Sequence, residues 1–168
     1  MIEFLNQYWP NLAGTVTGGI ILSALFFLLK ERLFSLPQVT GVWEVQLITE
    51  KTEYNPFNGL KLWYQVTLIQ NVTTFSGIGE LDRECSREGT RFYIKNGRRP
   101  VEIQGTIEKR LTKPDLIHIL WSEMGSERRF SNAFTLNVSG SKTSGGLWGR
   151  YTSTAAKSTG HSSWKRIT

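Results

Sequence analysis

The hydrophobic pattern of the chain changes once, near Pro37. Before that point, residues 12–29 form a run of 18 residues without a single charge. In a helix that rises about 1.5 Å per residue, this run covers roughly 27 Å, close to the ~30 Å hydrocarbon core of a bilayer. The pattern predicts a transmembrane helix over about residues 11–30, within an N-terminal region of residues 1–36.

The flanks of this run predict its orientation. Tyr8 and Trp9 precede it, where an interfacial aromatic belt is expected, and Lys30 and Arg32 follow it. Glu3 is the only charge before the run, so the positive n-region of a cleaved signal peptide is missing. The positive-inside rule then places the N-terminus in the periplasm and the rest of the chain in the cytoplasm.

Small residues follow one side of the predicted helix. Gly14 and Gly18 form a G-x-x-x-G pattern, and Thr15, Gly19 and Ser23 form a second row one position later. Such rows allow two helix backbones to approach closely in lipid. We therefore predict a self-association face made of Gly14, Gly18, Gly19 and Ser23, with a plain membrane anchor as the alternative.

After Pro37 the pattern alternates between apolar and polar positions, which indicates strands. Short loops rich in Gly, Asn and Pro separate the runs, and this spacing favours an antiparallel meander. An all-β fold follows, and a barrel of about eight strands over residues 37–168 is favoured over a sandwich because closure removes free edges. Nine runs are predicted, one of them a bent or split strand: 41–50, 60–71, 74–84, 89–96, 100–111, 115–123, 127–138, 145–154 and 161–167.

The first predicted strand opens with Gly41-Val42-Trp43. A Gly-x-Trp motif on the first strand of a small meander barrel resembles the lipocalin pattern, in which the tryptophan plugs the closed end. The resemblance implies a barrel and a structural role for Trp43, and it implies no ligand.

Several polar residues fall on faces that are otherwise apolar. Unpaired buried polar groups cost about 1–3 kcal/mol each, so they require partners. They either pair with one another and with buried water, or they form the convergent polar groups of a small-molecule site. Tyr and His stack on bases, and Arg pairs with phosphate. The candidate ligand-binding residues are Tyr64, Thr74, Ser76, His118, Arg128, Asn132 and Tyr151.

Charge and composition narrow the function. Residues 37–168 carry the entire excess of +6, which suits an anionic ligand or anionic lipid headgroups, or serves only solubility. Basic residues are scattered over strand ends, so no DNA or RNA partner is expected. The single cysteine, Cys85, precludes an intrachain disulfide and fits a reducing compartment. No catalytic grouping, metal-ligand spacing or phosphate-binding loop is found, which predicts a protein that is not an enzyme and needs no cofactor or metal.

One apolar segment followed by a compact barrel resembles the membrane-anchored β-barrel effectors of CBASS, the bacterial cyclic-oligonucleotide-based antiphage signalling system. These CD-NTase-associated proteins are classed as two-transmembrane plus β-strand-rich, whereas this chain has one full-length apolar run. The residues that carry the resemblance are the run 12–29 and the segments TGVWEV, from residue 40, and GGLWGRYTS, from residue 145.

The resemblance implies a mechanism. A linked nucleotidyltransferase makes a cyclic di- or oligonucleotide, the barrel binds it, and the chain oligomerises in the inner membrane. The membrane is then disrupted and the infected cell dies.

Three other functions stay open at this point. A membrane-tethered lipocalin-like carrier for a lipid or another apolar molecule predicts an apolar lumen and no ligand-dependent oligomer. A docking subunit of a larger membrane complex predicts an interior filled by side chains. An enzyme has the least support.

Overall fold

A computed structural model of the chain describes residues 2–33, 36–94, 98–110, 113–125, 128–138 and 146–167. The chain divides into two compact units, Met1–Ser35 and Leu36–Thr168.

The N-terminal unit is a single helix, α1, over Ile2–Leu33. The predicted helix is therefore confirmed, and it extends beyond residues 11–30. From Ala13 to Leu29 every described side chain is exposed, including Ile20 and Phe26. Among the described residues, no helix combines the length and apolar character that crossing a membrane requires. The span predicted over residues 11–30 is thus not confirmed.

The second unit is an antiparallel meander of nine strands, as predicted. The barrel closes because β1 pairs with both its sequence neighbour β2 and the last strand, β9. The strands are β1 Gly41–Lys51, β2 Lys61–Asn71, β3 Thr74–Ser86, β4 Gly89–Phe92, β5 Pro100–Glu108, β6 Leu116–Met124, β7 Arg129–Val138, β8 Leu147–Ser153 and β9 Thr159–Ile167.

Strands β4 and β5 together occupy one position in the barrel. Strand β4 pairs with residues 83–86 of β3, and β5 pairs with residues 74–80 on the same edge of β3. Between them, Tyr93, Ile94, Arg98 and Arg99 lie outside the strands. The barrel therefore has eight positions around its circumference, and the predicted split strand is the β4–β5 pair.

Aromatic side chains fill the middle of the barrel. The ring centroid of Trp121 lies 4.5 Å from that of Tyr64, 5.3 Å from that of Phe134 and 6.2 Å from that of Trp164. All four side chains are buried. The interior is therefore a packed core in this part of the barrel.

Trp43 lies in the interior at the end of the barrel where β1 begins. Its side chain is buried, and its indole Nε1 donates a hydrogen bond to the backbone oxygen of Val39 at 2.8 Å. The guanidinium of Arg166 lies over the Trp43 ring, 5.2 Å from its centroid, and donates to the oxygen of Gln38 at 2.9 Å. These contacts give Trp43 the structural role that was predicted for it.

The face predicted for β6 is wrong. The side chains that point inward are those of Ile117, Ile119, Trp121 and Glu123, so His118 lies on the outer surface. The segment is apolar at both odd and even positions, and Leu116 is also buried. Alternation therefore did not identify the inner face of this strand.

The face predicted for β3 is also wrong. Phe75 and Leu81 point inward, with Gly77 and Gly79 between them, so Thr74 and Ser76 are exposed. A Cβ added at Gly77 would lie 2.3 Å from the backbone oxygen of Thr67. Because β2 and β3 approach this closely, the inner face carries glycines, and glycines leave no hydrophobic signal.

Candidate functional site

A cavity of about 290 Å³ lies at the end of the barrel opposite Trp43. We call it the mouth cavity. Leucine and phenylalanine side chains form its apolar wall, including Leu47, Leu62 and Phe130. Its polar wall residues include Thr49, Tyr64, Arg99, Glu123, Asn132 and Tyr151.

Glu123 is the most deeply buried charged residue of the mouth cavity, with 1% of its surface exposed. Tyr64 Oη donates a hydrogen bond to Glu123 Oε2 at 2.9 Å. The other oxygen, Oε1, is buried and has no hydrogen-bond partner within the described residues. Arg99 Nη1 lies 4.0 Å from it, close enough for electrostatic attraction but too far for a hydrogen bond.

Burial raises the pKa of Glu123 to about 7, because desolvation of the carboxylate outweighs the Tyr64 hydrogen bond and the charge of Arg99. Burial also raises the pKa of Tyr64 well above 10, and the neighbouring Glu123 raises it further. Tyr64 therefore stays a neutral hydrogen-bond donor. The mouth cavity therefore holds a carboxyl group that is ionised only in part near neutral pH.

This pKa predicts a pH-dependent stability. Folded Glu123 binds protons more tightly than an unfolded glutamate with a pKa of 4.5, so stability falls as pH rises from about 4.5 to about 7. The free energy of unfolding falls by about 3 kcal/mol over this range and changes little above pH 7. Urea unfolding at pH 5, 6, 7 and 8 measures it, with Glu123→Gln as the comparison. The stability difference between the two chains should change across this range, and a constant difference would contradict the prediction.

Three further polar side chains that face the mouth cavity are those of Thr49, Asn132 and Tyr151. Tyr151 Oη and Thr49 Oγ1 lie 2.7 Å apart and share a hydrogen bond, which satisfies both. Asn132 is 3% exposed, and its side-chain amide has no hydrogen-bond partner among the described residues. Asn132 and Glu123 Oε1 are thus the groups that remain available to an occupant.

Arg99 lies directly before β5 and lines the mouth cavity. The backbone oxygen of Arg99 accepts a hydrogen bond from the N–H of Leu81 at 3.0 Å, which ties this residue to β3. Its guanidinium lies 5.7 Å from the centroid of the Tyr93 ring. The guanidinium of Arg99 is therefore partly exposed to solvent and also lies close to the buried carboxyl group of Glu123.

The structure brings together three of the seven predicted ligand-binding residues. Tyr64, Asn132 and Tyr151 all line the mouth cavity. Arg128 is exposed in the turn before β7, where its oxygen accepts a hydrogen bond from the N–H of Gly125 at 2.9 Å. Its side chain does not line the mouth cavity, so its assignment to an inner face is wrong.

The other three predicted residues lie elsewhere. Thr74, Ser76 and His118 line an open groove of about 750 Å³ on the outer surface of the barrel. His118 Nε2 lies 2.9 Å from Glu108 Oε2, so the imidazole already has a carboxylate partner. Their assignment to the interior is wrong, for the reasons given for β3 and β6.

The small-residue face of α1 is open. A Cβ added at Gly14, Gly18 or Gly19 would meet no atom within 4 Å. Ser23, on the same predicted face, is also exposed. This is a property of the helix by itself, and self-association through this face stays a prediction.

No protein-family model, curated protein or solved structure was found to match this chain. The chemistry of the mouth cavity is therefore argued from its own residues. Within the described residues, no group of three or more His, Cys, Asp or Glu side chains is placed to hold a metal ion.

Sequence reasoning missed the three charged residues of the mouth cavity, Glu84, Arg99 and Glu123. Glu123 shares the odd-numbered face of β6 with Ile117, Ile119 and Trp121. Choosing that face as the inner one would have predicted Glu123 to be a buried acid. Arg99 lies in a connection between two strands, where hydrophobic alternation carries no information.

Proposed function

We propose that the barrel senses a cyclic di- or oligonucleotide and that the chain is an effector of a CBASS-type antiphage system. The observation that carries this proposal is the mouth cavity, where aliphatic and aromatic side chains stand beside Glu123 Oε1, which is buried without a partner among the described residues, and beside the amide of the buried Asn132. Apolar walls with a few convergent polar groups are typical of small-molecule sites.

The size of the mouth cavity limits what enters it. Its volume of about 290 Å³ is near the lower end of ligand sites, which span roughly 300–1,000 Å³. We infer that one base enters and that the sugar–phosphate ring stays at the rim. Arg99 lies there to pair with phosphate, and the partly exposed Phe130 ring is available for stacking.

The two competing binding functions have less support. A carrier of apolar molecules has no use for a buried carboxyl group and an unpaired amide in its cavity, because both lose hydrogen bonds to water when an apolar guest enters. A docking scaffold requires no cavity at all.

The effector part of the proposal rests on α1. Its exposed side chains from Ile20 to Leu22 and from Leu25 to Leu29 are apolar on all sides of the helix. A helix that is apolar all round belongs in a protein core or in lipid. We propose that it enters the bacterial inner membrane, with the N-terminus periplasmic and the barrel cytoplasmic.

Ligand binding then drives homo-oligomerisation, and Gly14, Gly18, Gly19 and Ser23 bring the helices together in the lipid bilayer. The clustered helices disrupt the membrane, and the infected cell dies before phage matures. A functionally linked nucleotidyltransferase supplies the ligand.

Asn132→Leu tests the site. This change replaces the unpaired amide with an apolar side chain of similar size, so a base that bonds to it loses about 1–3 kcal/mol. The full-length chain in detergent should bind cyclic dinucleotides roughly tenfold to a hundredfold more weakly, as measured by isothermal titration calorimetry.

Asn137→Leu is the matched control, because Asn137 lies on the same strand outside the mouth cavity. Its affinity should equal that of the wild type, and circular dichroism should report a folded barrel for both variants. Wild-type affinity in Asn132→Leu would remove this residue from the site.

A further inference from the structure

We infer that the mouth cavity selects a guanine base, whose N–H donors bond to Glu123 while its carbonyl oxygen accepts from Asn132. This inference rests on the function proposed above and goes one step further, from nucleotide class to base identity.

The first step is the unpartnered oxygen. Glu123 Oε1 is buried without a hydrogen-bond donor, although burying an acceptor in this way costs about 1–3 kcal/mol. Tyr64 is already bonded to the other oxygen, and Arg99 stays 4.0 Å away. The described residues therefore supply no donor to this oxygen, and an occupant of the mouth cavity can supply one.

The second step is the ionisation of that group. Burial favours the neutral acid, whereas the Tyr64 hydrogen bond and the charge of Arg99 favour the carboxylate, and a pKa of about 7 leaves both forms populated near neutral pH. A carboxylate only accepts hydrogen bonds. An occupant with adjacent N–H donors therefore binds the ionised form of Glu123 and favours it over the neutral acid.

The third step compares the bases. The Watson–Crick edge of guanine carries two adjacent donors, N1–H and N2–H₂, beside the acceptor O6. Adenine and cytosine carry a single amino group beside an acceptor nitrogen, and this nitrogen would face the carboxylate without a proton to donate. Uracil has one donor between two acceptors. Asn132 supplies the amide donor for guanine O6, because its side chain is buried at the mouth cavity and bonds to no other described side chain. Guanine alone matches both groups.

The test measures the affinity of the full-length chain in detergent for cyclic di-GMP, cyclic GMP–AMP and cyclic di-AMP by calorimetry. The two nucleotides that contain guanine should bind roughly tenfold to a hundredfold more tightly than cyclic di-AMP, the range for one good bidentate contact. Glu123→Gln should remove most of this preference, because an amide offers one acceptor where the carboxylate offers two. Glu102→Gln, the same change at an exposed position of β5, should retain it.

The outcomes separate the inference from the function on which it rests. Equal affinities, or tighter binding of cyclic di-AMP, would overturn the guanine inference and leave the sensor function standing. A preference for guanine that survives in Glu123→Gln would overturn the role of Glu123. Binding of none of the three nucleotides would overturn the guanine inference, and failure of every other cyclic oligonucleotide as well would overturn the proposed function. Because the wild-type comparison needs no variant, a Glu123→Gln chain that fails to fold does not prevent the test.

Discussion

Bacteria that express the Gly14→Leu, Gly18→Leu double variant should survive conditions under which the wild-type chain kills them. Leucine at both positions adds bulk to a face where a Cβ at present meets no atom within 4 Å. Close helix approach in lipid depends on small residues, so this bulk should hold the helices apart and abolish killing. Colony counts and entry of a membrane-impermeant dye, with the nucleotide-producing enzyme co-expressed, measure the effect.

Ala13→Leu with Ala24→Leu is the matched control, because it adds leucine at two positions of the same helix outside the glycine rows. This variant should kill as efficiently as the wild type. Nucleotide affinity should be unchanged in both double variants, since the mouth cavity lies in the other unit. Full killing by the Gly14→Leu, Gly18→Leu variant would remove the role proposed for this face.

Trp121→Ala should destabilise the barrel by about 3–5 kcal/mol, the range for truncating a buried aromatic residue. Trp121 has no exposed surface, and its ring contacts those of Tyr64, Phe134 and Trp164. Its removal leaves a void in the core and takes away the ring against which Tyr64 packs. The urea midpoint should fall strongly, and nucleotide affinity should fall with it.

Trp148→Ala provides the comparison, because Trp148 is 56% exposed on the outer surface. Substitutions at such positions usually change stability by less than about 0.5 kcal/mol. Trp121→Phe should cost less than Trp121→Ala, since it keeps an aromatic ring and removes a buried indole N–H that has no partner among the described residues. Equal midpoints for Trp121→Ala and Trp148→Ala would show that the core is not packed as described.

The hydrophobic pattern of single strands predicted several of the residues that line the mouth cavity. Tyr64 and Asn132 lie on strands whose inner faces alternate cleanly between apolar and polar positions, so their inward direction was predictable. His118 was misplaced because β6 is apolar on both faces, and Thr74 and Ser76 because glycines occupy the inner face of β3. In such strands, the pairing partners decide which face is buried.

The sequence by itself determined the helix, the nine strands, their meander order and the inner faces of the strands that alternate, because these features depend on neighbours along the chain. Only the tertiary structure decided which face of β3 and β6 is buried, how far the aromatic core extends, and that Glu123, Tyr64 and Arg99 meet. Those three residues come from distant parts of the chain. Closure of the barrel brings them together, and burial there raises the pKa of Glu123.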